Sequence, residues 1–201
     1  MMSIAVFASG SGSNFQTLVE RSRMEDWPEP VSLLICDKPG AKVLERAEKL
    51  GVPSASFAPK EYPGKADYER DVLHLLRLHR IKWIVLAGYM RLIGPVLLEA
   101  YAGRIVNIHP SLLPAFPGKD AIRQAYEYPV KVSGVTVHFV DEGMDTGPII
   151  AQVPVAITED DTLESFAEKI HQAEHSLYPD VVYQLITGKI RPPVPLSASE
   201  K

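Results

Sequence analysis

The chain has 201 residues, 46% of them hydrophobic, and a formal net charge of -4 spread along its length. A chain of this size buries roughly 70% of the surface it exposes when unfolded, so one full hydrophobic core is expected. The composition excludes disordered, collagen-like and coiled-coil chains, and the lack of a basic stripe argues against a nucleic-acid partner.

The opening residues, Met-Met-Ser-Ile-Ala-Val-Phe-Ala, have no positive n-region and too short an apolar stretch for a signal peptide. Ile4–Ala8 reads as a strand, and Asn14 as the cap of a helix running towards Met24 with Phe15, Leu18 and Val19 on one face. A loop around Pro28 leads to a second strand, Val31–Cys36. Cys36 is the one cysteine, which excludes an intrachain disulfide and fits a reducing cytoplasm; in this apolar run it reads as a core thiol. Ala41–Leu50 is a helix stopped by Gly51, and Ala55–Phe57 a short strand. Tyr68, Val72, Leu75 and Leu76 recur at helical spacing up to Arg80, and Ile84–Ala87 is an unbroken apolar run, as expected of a strand buried on both faces. Pro95–Tyr101 is a short helix, and Arg104–His109 a strand stopped by Pro110.

Beyond Pro110 the pattern changes. Ser111–Gly118 is a loop, Asp120–Tyr126 a short helix, and Val135–Val140 and Ile149–Val155 are strands joined only by a loop. Asp161 or Thr162 caps a long helical stretch to Gly188, interrupted near Pro179, and residues 191–201 form a Pro/Ser-rich, flexible tail. No stretch approaches the ~20 apolar residues of a membrane span, so no membrane partner is expected. Strand–helix alternation implies an α/β fold, a mostly parallel sheet with right-handed crossovers and at least one later antiparallel strand. No internal repeat or linker appears, so residues 1–190 read as one domain.

In such a sheet ligands bind beyond the carboxyl ends of the strands. Three strand ends carry unusual residues: Ser9–Asn14, Gly88–Leu92 and Asn107–Pro110. If the strands are parallel, all three lie along one edge. Ser9-Gly10-Ser11-Gly12-Ser13-Asn14 suits a phosphate, because small residues permit close approach and the next helix offers free N–H groups. Phe15 stands where a dinucleotide fingerprint needs glycine, and no Gly-Lys-Ser/Thr of a P-loop follows; a plain tight strand–helix turn accounts for the same residues. Asn107 and His109 share a strand face, with Ile108 on the other. An amide donor beside an imidazole suits an oxygen that gains negative charge in acyl transfer, although a satisfied structural histidine fits the spacing too. The acidic turn Asp141–Pro148 contains a carboxylate able to reach His109, raise its pKa and orient the ring; its bland alternative is a solvated hairpin turn. His138 shares a face with Thr136. No metal is expected: there is no cysteine cluster, and Gln172 follows His171 where a His-Glu-x-x-His motif needs glutamate.

Four segments together are similar to a known family: Ala8–Asn14, Ala87-Gly88-Tyr89-Met90-Arg91, Asn107-Ile108-His109-Pro110-Ser111-Leu112-Leu113-Pro114, and Gly134–Phe139 running into Asp141–Pro148. The chain resembles the folate-dependent phosphoribosylglycinamide formyltransferases from Ile4 to about Gly188. The resemblance implies a Rossmann-like fold with a seven-stranded mixed sheet and helices on both faces. It implies Asn107, His109 and Asp145 as the catalytic set, with Ser111, Thr136 and His138 supporting them. Gly12, Ser13, Asn14, Pro110 and Glu174 would contact the nucleotide substrate, glycinamide ribonucleotide. Tyr89, Met90, Arg91, Leu92, Ile93, Arg104, Val140, Asp141 and Met144 would line the site of 10-formyltetrahydrofolate, a co-substrate, with no metal. One departure is Glu127–Ser133, shorter than in many relatives.

The implied activity is direct formyl transfer in purine biosynthesis, by a cytoplasmic enzyme that is a monomer or a homodimer. Two alternatives stay open. A 10-formyltetrahydrofolate deformylase uses water as acceptor and usually carries an extra N-terminal domain, as transfer-RNA and sugar-nucleotide formyltransferases carry further domains; chain length is expected to discriminate. A non-catalytic nucleotide-binding module fits the glycine loop but leaves Asn107, His109 and Asp145 unexplained.

Overall fold

The computed structural model describes residues 2–193; the predicted flexible tail therefore lies, from residue 194 on, outside the described residues. In chain order the elements are β1 (Ser3–Ala8), α1 (Ser13–Met24), β2 (Val31–Cys36), α2 (Lys42–Lys49), β3 (Ser54–Ser56), α3 (Lys65–Leu78), β4 (Ile81–Leu86), α4 (Pro95–Ala100), β5 (Ile105–His109), α5 (Ala121–Glu127), β6 (Val132–Phe139), β7 (Ile149–Ala156) and α6 (Leu163–Ile186). All seven strands join one sheet in the order β3-β2-β1-β4-β5-β6-β7. β1 to β5 pair in parallel, and β6 runs antiparallel to both β5 and β7. The order reverses between β1 and β4, the switch point beyond which the connecting loops diverge and leave a crevice.

Each central strand is apolar on both faces because helices cover both. Val6, Val85, Val106 and Ile108 point into a core closed by Phe15, Leu18 and Val19 of α1, Val43 and Ala47 of α2, and Phe166, Ile170 and Tyr178 of α6. Ala5, Phe7, Ile84, Leu86 and Ile105 point the other way, onto Tyr68, Val72 and Leu76 of α3 and Leu97 of α4. This second layer covers β5 only as far as Ile105. Past it, the same face of β5 and β6 is lined by polar residues in cross-strand pairs, Asn107 opposite His138 and His109 opposite Thr136.

Two local expectations are corrected. Asn14 does not cap α1: the cap position is Gly12, in the left-handed region at φ 78°, with no side-chain cap bond, and Asn14 stands inside the first turn. A Cβ at Gly12 would lie 2.4 Å from Val43 Cγ2, so the close packing of α2 against this turn adds to the preference for glycine. The second correction concerns Pro179, which does not interrupt the last helix; α6 runs unbroken for 24 residues from a Thr162–Ser165 capping box. Pro179 removes one backbone donor, but Tyr178, Val181, Val182 and Leu185 bury this stretch and hold it helical.

Candidate active site

β5 ends at His109, just before Pro110, and its last residues present two polar side chains at the crevice. Asn107 is half-buried and His109 buried. The His138 ring fixes the Asn107 amide. His138 Nδ1 faces the Phe139 carbonyl at 2.8 Å and must donate to it, so Nε2 accepts from Asn107 Nδ2 at 3.2 Å. Burial pushes the His138 pKa down, against the pull of the Phe139 carbonyl and Asp145, which keeps the accepting form in place.

His109 stands between two acceptors. Its Nε2 donates to the Phe116 carbonyl at 2.8 Å, and its Nδ1 lies 3.5 Å from Asp145 Oδ2. Only the doubly protonated ring offers a proton to both. Asp145 also comes within 3.7 Å of His138 Nε2 through Oδ1, and its Oδ2 accepts from the Gly118 N–H at 2.8 Å. The acidic turn thus folds back across the sheet face to within reach of the histidine ring.

Two loops set this geometry, the first built by the buried hydroxyls of Ser111 and Thr136. Ser111 Oγ donates to the Ala115 carbonyl at 2.6 Å, shaping the turn that aims the Phe116 carbonyl at His109. Thr136 Oγ1 donates to the Ser111 carbonyl at 2.7 Å and accepts from Leu113 N and Gln152 Nε2. In the other loop Asp141 Oδ1 accepts from Gly143 N and Thr146 Oγ1. Met144 is exposed, its sulfur over Gly118.

Across the crevice, Asn14 Nδ2 donates to Glu174 Oε2 of α6 at 3.3 Å, while Asn14 Oδ1 is buried without a partner. His171 Nδ1 lies 2.9 Å from the same carboxylate oxygen, and that hydrogen bond raises the His171 pKa. Gly12, Ser13, Asn14 and Glu174 are therefore brought together around the first turn of α1, whose leading N–H groups have no helical acceptor. Pro110 follows His109 directly, half-buried at the rim.

Of the residues the resemblance assigned to folate, Tyr89, Ile93 and Val140 pack against the second core layer next to Ile105. Met90 and Leu92 are exposed on the same segment, and the Arg91 guanidinium lies 5.5 Å from the centre of the Tyr68 ring. Arg104 is a correction. It precedes β5, at the end opposite His109, and its guanidinium donates to the Ala100 carbonyl at 2.9 Å over the Tyr101 ring. The charge is taken up by the end of α4, not by the crevice.

Sequence reasoning missed the carbonyl of Phe116 and the N–H of Gly118, which are backbone groups with no residue-type signal. It also missed Tyr68, hidden in an apolar helical stripe, and Arg46, whose Nε donates to the Ser11 carbonyl of the glycine turn at 2.7 Å.

Residues 2–182 match the family described as Formyl transferase. The chain belongs to the formyl transferase family. Among formyl transferases it is 58% identical over 92% of its length to the phosphoribosylglycinamide formyltransferase of Bacillus subtilis (strain 168), covering 95% of that protein. The crystal structure of glycinamide ribonucleotide transformylase 1 from Geobacillus kaustophilus superposes with a TM-score of 0.89 at 60% identity, over 92% of this chain and 99% of that one. The transformylase 1 structure from Symbiobacterium toebii gives a TM-score of 0.92 at 41% identity, over 96% and 92%. The seven-stranded mixed sheet with helices on both faces is the formyl transferase fold. Among the described residues, no helix is long and apolar enough to cross a membrane.

Proposed function

We propose that this formyl transferase moves the formyl group of 10-formyltetrahydrofolate to the amine of glycinamide ribonucleotide in de novo purine biosynthesis, in the cytoplasm, through a single domain spanning residues 1–190. The observation that carries the reading is the meeting of Asn107, His109, His138 and Asp145 on one sheet face. The close likeness to phosphoribosylglycinamide formyltransferases supports the choice of substrates.

In the proposed reaction the glycinamide amine attacks the formyl carbon. The carbonyl oxygen becomes an oxyanion, stabilised by the Asn107 amide N–H that His138 does not hold and by the positive His109 ring. The carbon–N10 bond then breaks as a proton leaves the amine and N10 gains one. Asp145 pairs with His109 and assists that proton movement. No covalent bond to the enzyme is required. Ser13 and Asn14 hold the phosphate at the α1 N-terminus, Glu174 accepts from the ribose, and the Tyr89–Ile93 segment with Val140 flanks the folate.

Formyl transfer measured with and without glycinamide ribonucleotide tests the proposal. The expected result is tetrahydrofolate release that depends on the nucleotide, with formylated nucleotide as co-product. Release at the same rate without it makes the enzyme a deformylase. Nucleotide binding without any folate product makes it a binding module.

A further inference from the structure

The Tyr89–Gly94 segment runs from the end of β4 to α4 with neither helix nor strand to hold its backbone. Its first anchor is Ser9 Oγ, which accepts from the Met90 N–H at 2.9 Å. The others come from two neighbouring residues of α3. Glu69 is 2% exposed, and its carboxylate accepts from the Gly94 N–H and, at 3.4 Å, from the Leu97 N–H. A buried carboxylate is costly unless such donors compensate it. Gly94 permits the contact because a Cβ there would lie 2.7 and 2.8 Å from the two carboxylate oxygens. Tyr68 shares a hydrogen bond with Tyr89 between the two hydroxyls, 2.7 Å apart, and carries the Arg91 guanidinium over its ring. The Tyr68 ring is itself braced edge-on by Phe57 and Tyr62. Burial pushes Tyr68 up to about 12 and Tyr89 further, so both phenols stay neutral partners.

We propose that Tyr68 and Glu69 are positioning residues that clamp the two ends of the Tyr89–Gly94 segment and so set the affinity for the formyl-folate. Their contacts are with the segment, not with Asn107, His109 or Asp145. Their effect passes through a segment whose free side chains, Met90 and Leu92, remain exposed at the crevice. The inference rests on the proposed folate role of this segment.

The test pairs amide hydrogen exchange of the whole enzyme without substrates with steady-state kinetics for each substrate. Glu69→Ala removes both acceptors, and exchange at Gly94 should quicken on the order of tenfold, the equivalent of one lost hydrogen bond. Glu69→Gln keeps one carbonyl for Gly94 but turns a donor towards Leu97, so it should fall between wild type and Glu69→Ala. KM for 10-formyltetrahydrofolate should rise in that same order, and more than KM for glycinamide ribonucleotide. Tyr68→Phe keeps the ring under Arg91 and loses the hydroxyl pair, so it should give the same split; with Glu69→Gln it carries the test if Glu69→Ala does not fold. Unchanged exchange across the segment overturns the clamp. Faster exchange with equal rises in both KM values leaves the segment clamped but overturns its folate role.

Discussion

Asn107 is the side chain on which the proposed chemistry depends most directly. One of its amide hydrogens is held by His138, which leaves the other available to a reacting oxygen. Asn107→Ala should lower kcat on the order of 100–1000-fold, the usual effect of losing one oxyanion donor. Turnover near wild type in folded protein would remove the assignment. His138 ties this geometry to pH. Burial lowers its pKa from 6.5, so the folded state favours the neutral ring. The stability this confers is present above pH 6.5 and is lost as pH falls through the lower folded value. His171 has the opposite sign, raised by Glu174, and adds stability below pH 6.5 that is lost as pH rises through its folded value. It is half-exposed and screened, which weakens its opposing contribution, and His175, also lowered by burial, acts in the same direction as His138. Urea unfolding should therefore show stability declining from pH 7 to pH 5, with a shallower slope in His138→Gln. Parallel slopes in the two proteins would count against this.

At the level of elements, the β1–α1 turn and helix α6 hold the two sides of the crevice. The turn depends on Gly12, where a side chain meets both a left-handed backbone and Val43. Gly12→Ala should cost about 1 kcal/mol or more in stability and raise KM for the nucleotide well above any change for folate, as should substitutions of Ser13 and Asn14. Equal changes for both substrates would detach this turn from the phosphate. Deep under the sheet, the Tyr178 hydroxyl donates to the Leu86 carbonyl at 2.7 Å and faces that of Val106 at 3.2 Å. It joins α6 to β4 and β5 where those strands deliver their residues to the crevice. Tyr178→Phe leaves both carbonyls without this donor and should destabilise by roughly 1–3 kcal/mol, read as a lower urea midpoint at unchanged slope.

For the whole molecule, the candidate nucleotide site bridges α1 and α6 through Asn14 and Glu174, two residues 160 positions apart. A ligand seated there binds only the assembled fold. Glycinamide ribonucleotide at 100 times its Kd should stabilise by about 2.7 kcal/mol, seen as a higher Tm that Asn14→Ala reduces at the same ligand concentration. An identical Tm rise in Asn14→Ala would place the nucleotide elsewhere.

Local pattern in the chain is enough to place the elements and the edge along which they deliver chemistry. Apolar runs such as Ile84–Ala87 announced strands buried on both faces, and alternation along β5 put Asn107 and His109 on one side. Periodicity and turn residues are local properties, so they are legible without a fold. Which groups meet is set by the packing of distant segments. The return of the acidic turn onto His109, the acceptor role of His138, the donation of Gly118 and the diversion of Arg104 to α4 all depend on contacts distant in sequence. Pro179 shows the same limit, because its local preference to break a helix was overridden by the packing around it. Propensity acts within a few residues, whereas burial and hydrogen-bond satisfaction are settled by neighbours that no local pattern names.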